Sequence, residues 1–292
     1  MKELKILKPI AALENAAFLD PIVTAVKGVA DKVIQPQDVR DALHGVPLGH
    51  PVHPVLVLIP TGAWTSAALL DLVPGAERAA RILVGLGLLS AAPTALAGVT
   101  DWSRLHEQQM RVGVIHATAN VAAVGLYTAS WLARRSGAPM LGKALGFLGF
   151  GAVTAGGYLG GHLVYRQAAG ANHTEQVPHK FPEGWQRLAR LDELPDRELS
   201  RRTVAGQSLL AFRRGGRVDV LSNLCSHLAG PLNQGELNED APDGPCVTCP
   251  WHGSVFALES GQVVHGPATS PVPLFRTRIV GDEVEVMLPN AG

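Results

Sequence analysis

The chain has 292 residues and a formal net charge of zero, which is room for about two domains. A neutral chain has no long-range field to attract nucleic acid, so nucleic acid is excluded as an expected partner. All three cysteines lie between residues 225 and 249, and such an odd, clustered set is not typical of a secreted disulfide framework.

Residues 1–45 are polar, with apolar residues at loosely helical spacing: Ile22, Val23, Val26, Val29 and Val33. This pattern predicts an amphipathic helical segment. The segment would lie along a membrane surface or against a helical bundle. Docking to a protein partner is the alternative, and the sequence does not separate the two.

Four apolar stretches follow. Residues 54–165 include only 11 Asp, Glu, Lys or Arg among 112 residues. A helix needs about 20 apolar residues to cross a bilayer, and recurrent glycines allow membrane helices to approach closely. We therefore predict a four-helix transmembrane domain at 46–166, with spans at 54–73, 82–100, 112–133 and 144–165. A buried soluble bundle is the alternative, which four such spans joined by short charged loops disfavour.

Several histidines fall near one end of this predicted bundle, because short loops make the four helices alternate in direction. Titratable groups are costly inside a membrane, so they are candidates for function. Two histidines could ligate haem b axially, or several could surround a metal ion or a quinone pocket. Alternatively, backbone, water or an aspartate satisfies each ring. The candidate membrane site comprises His50, His53, Asp101, His116 and His162.

The same region carries a resemblance. The runs LGHPVHPVLVLIPTGAWTSAALLDLV, GVTDW and GYLGGHLVYRQ are similar to an uncharacterised bacterial family of four-helix membrane domains that open with His-Pro-x-His-Pro. The resemblance covers about residues 45–170. It implies the fold, and it carries over no activity.

The C-terminal part has a different pattern. Residues 167–183 are polar and interrupted by Gly and Pro, which is typical of a linker. Short β-like runs follow, such as SLLAF, RVDVLSN and EVEVML, separated by turn-forming clusters. They predict a small all-β domain at 184–292. The fold class is thus a multi-domain membrane protein, with an all-α transmembrane bundle followed by an all-β domain.

Two short motifs in the β domain carry metal ligands. Cys225-Ser-His227 and Cys249-Pro-Trp-His252 are separated by 21 residues. Thiolates and imidazoles suit zinc or iron–sulfur centres. Zinc fingers usually pair cysteine with cysteine and histidine with histidine. Because each motif here supplies one of each, the pattern favours two irons, one on both sulfurs and the other on both imidazoles.

The run CSHLAGPLNQG … CVTCPWHGSVFALESGQVVHGPATSPVPLF resembles the two ligand boxes and the proline-rich loop of the Rieske family. The resemblance implies a [2Fe–2S] cluster held by Cys225, His227, Cys249 and His252. It also implies that the cluster is surrounded by Trp251, Gly253, Ser254 and Pro267. Neither box has the extra cysteine of cytochrome bc-type members, so the chain is similar to the ferredoxin-like branch. Cys246 is expected to be a buried thiol.

Together these features predict a membrane-anchored one-electron carrier. It would connect a soluble redox protein, a reductase or an oxygenase, with a haem, quinone or metal site at the membrane. It would be an electron-transfer component of an oxidoreductase system rather than a complete enzyme. The alternatives are a redox or iron–sulfur sensor that controls the membrane domain, and a metal transporter with a regulatory cluster domain.

The expected location is the lipid bilayer of the bacterial cell membrane. Lys and Arg near the spans are balanced between the two sides, so they do not decide the orientation. We favour a cytoplasmic Rieske domain because this orientation requires no export of a folded cluster domain. The sequence allows a homo-oligomer.

Overall fold

The computed structural model describes residues 8–242 and 244–289, and this part of the chain divides into two units. The helical unit comprises the described residues of Met1–Pro36 together with Val52–Ala169. The β unit comprises those of Gln37–Pro51 together with Gly170–Gly292.

The helices are α1 (Lys8–Glu14), α2 (Asp20–Val33), α3 (Gln37–His44), α4 (His53–Leu56), α5 (Leu58–Leu70), α6 (Glu77–Trp102), α7 (Glu107–Arg135), α8 (Pro139–Tyr165) and α9 (Val177–Lys180). Among the described residues, four helical stretches are long and apolar enough to cross a membrane: His53–Leu70, which joins α4 and α5, and then α6, α7 and α8. The predicted four-helix membrane fold is confirmed. These helices extend beyond the predicted stretches at most ends, because their terminal turns carry charged residues that an uncharged window leaves out.

The helical unit packs around a small aromatic core. The rings of Trp64 and Tyr127 are stacked, with centroids 4.3 Å apart and planes inclined by 11°. An added Cβ at Gly87 would lie 2.2 Å from the Trp64 indole nitrogen, so that site has no room for a side chain. Helix α8 also turns small residues inward, which allows close helix approach; its buried glycines are Gly142, Gly146, Gly149 and Gly156.

A buried ion pair ties two of the spans together. Both terminal nitrogens of the Arg134 guanidinium donate to Asp71, with Nη1–Oδ1 at 2.6 Å and Nη2–Oδ2 at 2.5 Å. The side chains are only 4% and 2% exposed. Ser130 and the Gly142 carbonyl also accept hydrogen bonds from Arg134. The pair is therefore fully enclosed and its polar atoms have partners.

Helices α1 and α2 are held against the spans by polar contacts. Arg111 at the start of α7 donates to both carboxylate oxygens of Asp20, at 2.7 and 2.9 Å. Arg104 donates to Asp31 at 2.7 Å. The opposite side of this segment is apolar and exposed, as an amphipathic helix requires; it presents Phe18, Ile22, Val26, Val29 and Val33.

The described part of the β unit has ten strands: β1 (Gln186–Arg190), β2 (Leu199–Val204), β3 (Gln207–Arg214), β4 (Arg217–Ser222), β5 (Glu236–Asn238), β6 (Cys246–Thr248), β7 (Val255–Ala257), β8 (Val263–His265), β9 (Leu274–Val280) and β10 (Glu283–Met287). They form two antiparallel sheets, in the orders β1-β10-β9-β4-β3-β2 and β5-β6-β7-β8. The predicted all-β fold is confirmed.

Two segments that were predicted to lie outside this domain group with it in the structure. The first is the end of the predicted N-terminal segment 1–45, because α3 belongs to the β unit. The second is the predicted linker 167–183. Val177 and Phe181 from this linker are buried in the core of the β unit with Leu188, Val220 and Phe275. The sequence did not predict this burial, because Val177 and Phe181 are isolated apolar residues in a polar stretch.

Candidate metal centre

Two matching loops present the four predicted ligands. In the first ligand loop (residues 225–230), the Cys225 N–H donates to the Gly230 carbonyl at 2.8 Å. In the second ligand loop (residues 249–254), the Cys249 N–H donates to the Ser254 carbonyl at 2.8 Å. In each loop, the N–H of the cysteine thus donates to the carbonyl five residues later. This hydrogen bond closes the loop and orients the cysteine.

Backbone N–H groups surround both sulfurs in the same way. The Cys225 sulfur accepts from the backbones of His227 and Leu228, and the Cys249 sulfur accepts from those of Trp251 and His252. In each loop the donors are therefore two and three residues after the cysteine. Such donors stabilise a thiolate and influence the potential of an iron–sulfur centre.

The two sulfurs lie close enough to share a hydrogen bond. This bond lowers the pKa of the Cys249 thiol to about 7, although burial opposes the shift. The same bond, together with burial, raises the pKa of Cys225. The pair therefore holds one proton more loosely than an isolated buried thiol would, as suits a pair that is to bind metal as thiolates.

The two predicted imidazole ligands also lie together. The ring centroids of His227 and His252 are 5.1 Å apart, with planes inclined by 82°. His227 is buried at 8% exposure, whereas His252 is half-buried. Next to it, Trp251 is 49% exposed and its ring centroid lies 6.5 Å from that of His252. The second ligand loop therefore reaches the surface.

A third loop (residues 266–271) connects the two ligand loops, and it contains the predicted neighbour Pro267 after a cis Gly266–Pro267 bond. The Ala268 N–H donates to Ser254 Oγ at 3.0 Å. The Ser226 hydroxyl donates to the Ser270 carbonyl at 2.6 Å. Each ligand loop is thus hydrogen-bonded to this third loop, while Gly253 closes the second ligand loop at a positive φ of 80°.

The donor set and the space around it fit an iron–sulfur cluster. Two thiols adjoin each other and two imidazoles adjoin each other, as two irons with unlike ligands require. An added Cβ at Gly230 would lie 2.7 Å from the Cys249 sulfur. The backbone of the first ligand loop therefore packs directly against this sulfur, with no room for a side chain. Cys246 is buried and its thiol donates to the Gly244 carbonyl at 3.2 Å.

Comparison with known proteins identifies the domain. Residues 184–276 match the family described as Rieske [2Fe-2S] domain. Over 102 residues the chain is 32% identical to the anthranilate 1,2-dioxygenase ferredoxin subunit of Burkholderia cepacia, a match that covers 35% of this chain and 90% of that protein. The chain belongs to the Rieske family. This membership confirms the predicted [2Fe–2S] cofactor.

Other Rieske proteins match the same region. The 3-phenylpropionate/cinnamic acid dioxygenase ferredoxin subunit of Escherichia coli (strain K12) is 31% identical over 80 residues, which cover 27% of this chain and 72% of that subunit. Among solved structures, the ferredoxin of carbazole 1,9a-dioxygenase from Nocardioides aromaticivorans IC177 is 28% identical. That match covers 35% of this chain and 95% of the ferredoxin, with a TM-score of 0.32.

The membrane part matches a second family. Residues 49–173 correspond to the family described as Predicted membrane protein (DUF2231). This result confirms the resemblance to a four-helix membrane family, and it agrees with the four apolar helices. The chain is therefore a Rieske domain fused to a predicted membrane domain.

The structure divides the residues of the predicted membrane site into groups. His53 Nδ1 lies 2.9 Å from the Thr94 carbonyl, and His116 Nδ1 lies 2.7 Å from the Gly156 carbonyl. These two imidazoles are near enough for their charges to interact. His116 also adjoins Asn120, whose Nδ2 lies 3.3 Å from His116 Nε2. His53 and His116 thus form one group.

The other members are placed differently. His162 is buried and its Nε2 lies 2.8 Å from Glu14 Oε1, a contact between α8 and α1 that no local sequence pattern predicted. Asp101 is half-buried near the end of α6, and His50 is an exposed residue of the β unit. Across residues 8–242 and 244–289, no three His, Cys, Asp or Glu side chains are grouped around a single metal position.

Proposed function

We propose that this protein is a membrane-anchored one-electron carrier. Its [2Fe–2S] cluster would be held by Cys225, His227, Cys249 and His252 and would accept one electron from a reduced soluble redox protein. It would then pass that electron to an acceptor at the membrane. The observation that carries the proposal is the pairing of two thiols and two imidazoles in loops that reach the surface at His252.

The cluster supplies one-electron chemistry, and the surrounding residues set its potential. Two neutral imidazoles in place of two thiolates make the centre less negative, and Rieske potentials span about −150 to +300 mV. The four backbone N–H groups on the sulfurs favour the reduced form, because they stabilise added negative charge.

The surface around His252 suits a transient protein partner. Trp251 is exposed beside this ligand, and exposed tryptophans are frequent anchors of protein interfaces. The relatives whose names identify them as dioxygenase ferredoxin subunits support a soluble partner from a reductase or oxygenase system. We propose that this partner docks over the second ligand loop.

The acceptor is proposed to be a haem, quinone or metal site that uses His53 and His116. Each ring has its Nδ1 beside a backbone carbonyl, an arrangement that orients an imidazole and makes Nε2 the natural ligand atom. At His116, a ligand would take the place of Asn120 Nδ2, which lies 3.3 Å from Nε2. We further propose that the Rieske domain faces the cytoplasm. Lipid on the apolar face of α2 is the simplest occupant of that exposed surface.

The proposal is tested on the full-length protein purified in detergent. We expect acid-labile sulfide, a Rieske-type EPR signal on reduction, and reoxidation of the cluster by a quinone analogue or by a co-purified haem. His116→Phe should slow this reoxidation at least tenfold. His179→Phe, which changes an imidazole that is 73% exposed in the β unit, is the control.

Other outcomes contradict specific parts of the proposal. Absence of labile sulfide would contradict the cluster itself. A reducible cluster that never transfers electrons to any membrane acceptor would favour a sensor, and metal flux in vesicles would favour a transporter. If His116→Phe behaves like the control variant, the membrane acceptor lies elsewhere.

A further inference from the structure

Helix α3 contributes a buried carboxylate to the β unit. Asp41 is only 8% exposed, and it meets two consecutive residues that lie 224 and 225 positions later in the chain. His265 Nδ1 lies 2.8 Å from Asp41 Oδ2, and the Gly266 N–H donates to Asp41 Oδ1 at 2.9 Å. Gln37 Nε2 also donates to Oδ1 at 2.9 Å. The carboxylate therefore has three polar neighbours.

Packing around Gly266 keeps α3 in this position. An added Cβ at Gly266 would lie 3.1 Å from His44 Cδ2 and 3.1 Å from Val46 Cγ2. His44 itself is 1% exposed. Because a side chain at residue 266 would have to push these neighbours aside, α3 and the turn after it are packed closely against this backbone. The matched Rieske region begins at residue 184 and does not include α3.

Gly266 is the first residue of the third loop, which touches both ligand loops. Two residues later, the Ala268 N–H donates to Ser254 Oγ, and the backbone carbonyl of Ser254 accepts the Cys249 N–H. Two residues span at most about 7 Å of chain. A short, hydrogen-bonded path therefore connects the Asp41 carboxylate with a proposed ligand of the cluster.

We propose that Asp41 is a positioning residue of the iron–sulfur centre. It anchors the base of the third loop, and its buried negative charge lowers the reduction potential of the cluster. The segment before the membrane helices is thereby a functional part of the electron-transfer domain. This inference rests on the proposed cluster ligation.

The expected size follows from electrostatics. At an effective dielectric constant of about 20, a unit charge about 12 Å from a redox centre changes the reduction equilibrium of that centre by about tenfold. A tenfold change corresponds to about 59 mV for one electron. Burial protects this interaction from screening by salt, whereas an exposed carboxylate on the same helix loses most of its effect.

The test is a redox titration of the full-length protein, followed by EPR. Asp41→Asn removes the charge at nearly constant shape, and we expect the potential to rise by about 59 mV, the tenfold shift. Asp38→Asn makes the same change at an exposed position of α3 and should leave the potential unaltered. Equal potentials in the two variants would overturn the proposal.

A second variant separates charge from loosening of the loop. His265→Phe removes a polar neighbour that offsets the carboxylate and keeps Asp41 itself, so the potential should fall. If loosening of the third loop were the only effect, the reduction potentials of Asp41→Asn and His265→Phe would shift in the same direction. That result would contradict the proposal. If Asp41→Asn assembles no cluster, the fall in His265→Phe supports the proposal and an unchanged potential overturns it.

Amide exchange supplies a readout that does not depend on electron transfer. The Gly266 N–H should exchange at least tenfold faster in Asp41→Ala and at the original rate in Asp38→Ala. Unchanged exchange in Asp41→Ala would show that the carboxylate does not anchor the loop. Missing labile sulfide in the unaltered protein would instead defeat the proposed cluster, so the two failures are distinguishable.

Discussion

The two units of the chain use histidine in different ways. In the β unit, His227 and His252 face each other at 5.1 Å and stand beside a pair of thiols. In the helical unit, His53 and His116 each lie against a backbone carbonyl of a neighbouring helix, and His162 lies against Glu14. Histidines can therefore be brought side by side by two short loops, or be placed one by one in contacts between helices.

The difference comes from how the residues are brought together. The proposed ligands of the β unit lie on two short loops, each closed by a hydrogen bond from the N–H of its own cysteine, so local spacing determines most of their geometry. The histidines of the helical unit meet groups that are 40 to 148 residues away. Their partners depend on how whole helices pack.

The largest effect is expected at the ligands. Cys249→Ala should abolish the cluster, because one iron would lose a thiolate and the shared thiol pair would be broken. Cys246→Ala is the matched control, since that thiol is also buried and donates to the Gly244 carbonyl at 3.2 Å. The measurements are labile sulfide and visible absorption per protein. If Cys249→Ala still assembled the cluster, the paired thiols would not be its ligands, and the contrast drawn between the two units would be wrong.

The second-largest effect is expected at Gly230, where the first ligand loop packs closely against the Cys249 sulfur. Gly230→Ala should greatly lower cluster occupancy, because the new Cβ would lie 2.7 Å from the Cys249 sulfur and 3.2 Å from the Trp251 ring. Gly216→Ala provides a control, as nothing lies within 4 Å of a Cβ there. Iron content is measured for both proteins. Equal content would mean that this loop does not constrain the sulfur.

A change in the helical unit should affect stability rather than the cluster. Arg134→Met leaves the Asp71 carboxylate buried without its bidentate partner, and breaking such a pair costs about 3–5 kcal/mol. Arg135→Met tests the adjacent, exposed arginine, whose guanidinium lies over the Trp131 ring. Unfolding of the detergent-solubilised protein is followed by circular dichroism. Similar stabilities would contradict the role assigned to the buried pair.

The smallest effect concerns the link between the ligand loops. Ser254→Ala removes the acceptor of the Ala268 N–H and a buried hydroxyl beside the cluster loops. The hydroxyl dipole beside the cluster loops favours the reduced form, so its loss should lower the potential, by at most about 40 mV if all of the ~1 kcal/mol of one hydrogen bond acts on that form alone. Ser270→Ala keeps the carbonyl that accepts from Ser226, so its potential should stay constant. A drop in both variants would indicate a general disturbance of the third loop.

Much of the fold could be predicted because it follows local rules. Long stretches without charged residues predicted the four membrane spans. Short β-like runs separated by turn-forming residues predicted the all-β domain. Strands β1, β2 and β5 were not predicted, since Gln186–Arg190 and Leu199–Val204 are rich in charged residues and Glu236–Asn238 is only three residues long. The anchors Val177 and Phe181 were likewise missed inside a polar stretch.

The sequence by itself determined the metal chemistry, because ligand type and spacing within two short loops select which atoms can bind iron. The tertiary structure alone decided which polar groups far apart in the chain form pairs. Asp41 with His265, Glu14 with His162 and Asp71 with Arg134 are pairs separated by 224, 148 and 63 residues. No periodicity connects such positions, since a hydrogen bond between them exists only after the chain has been folded around a common core.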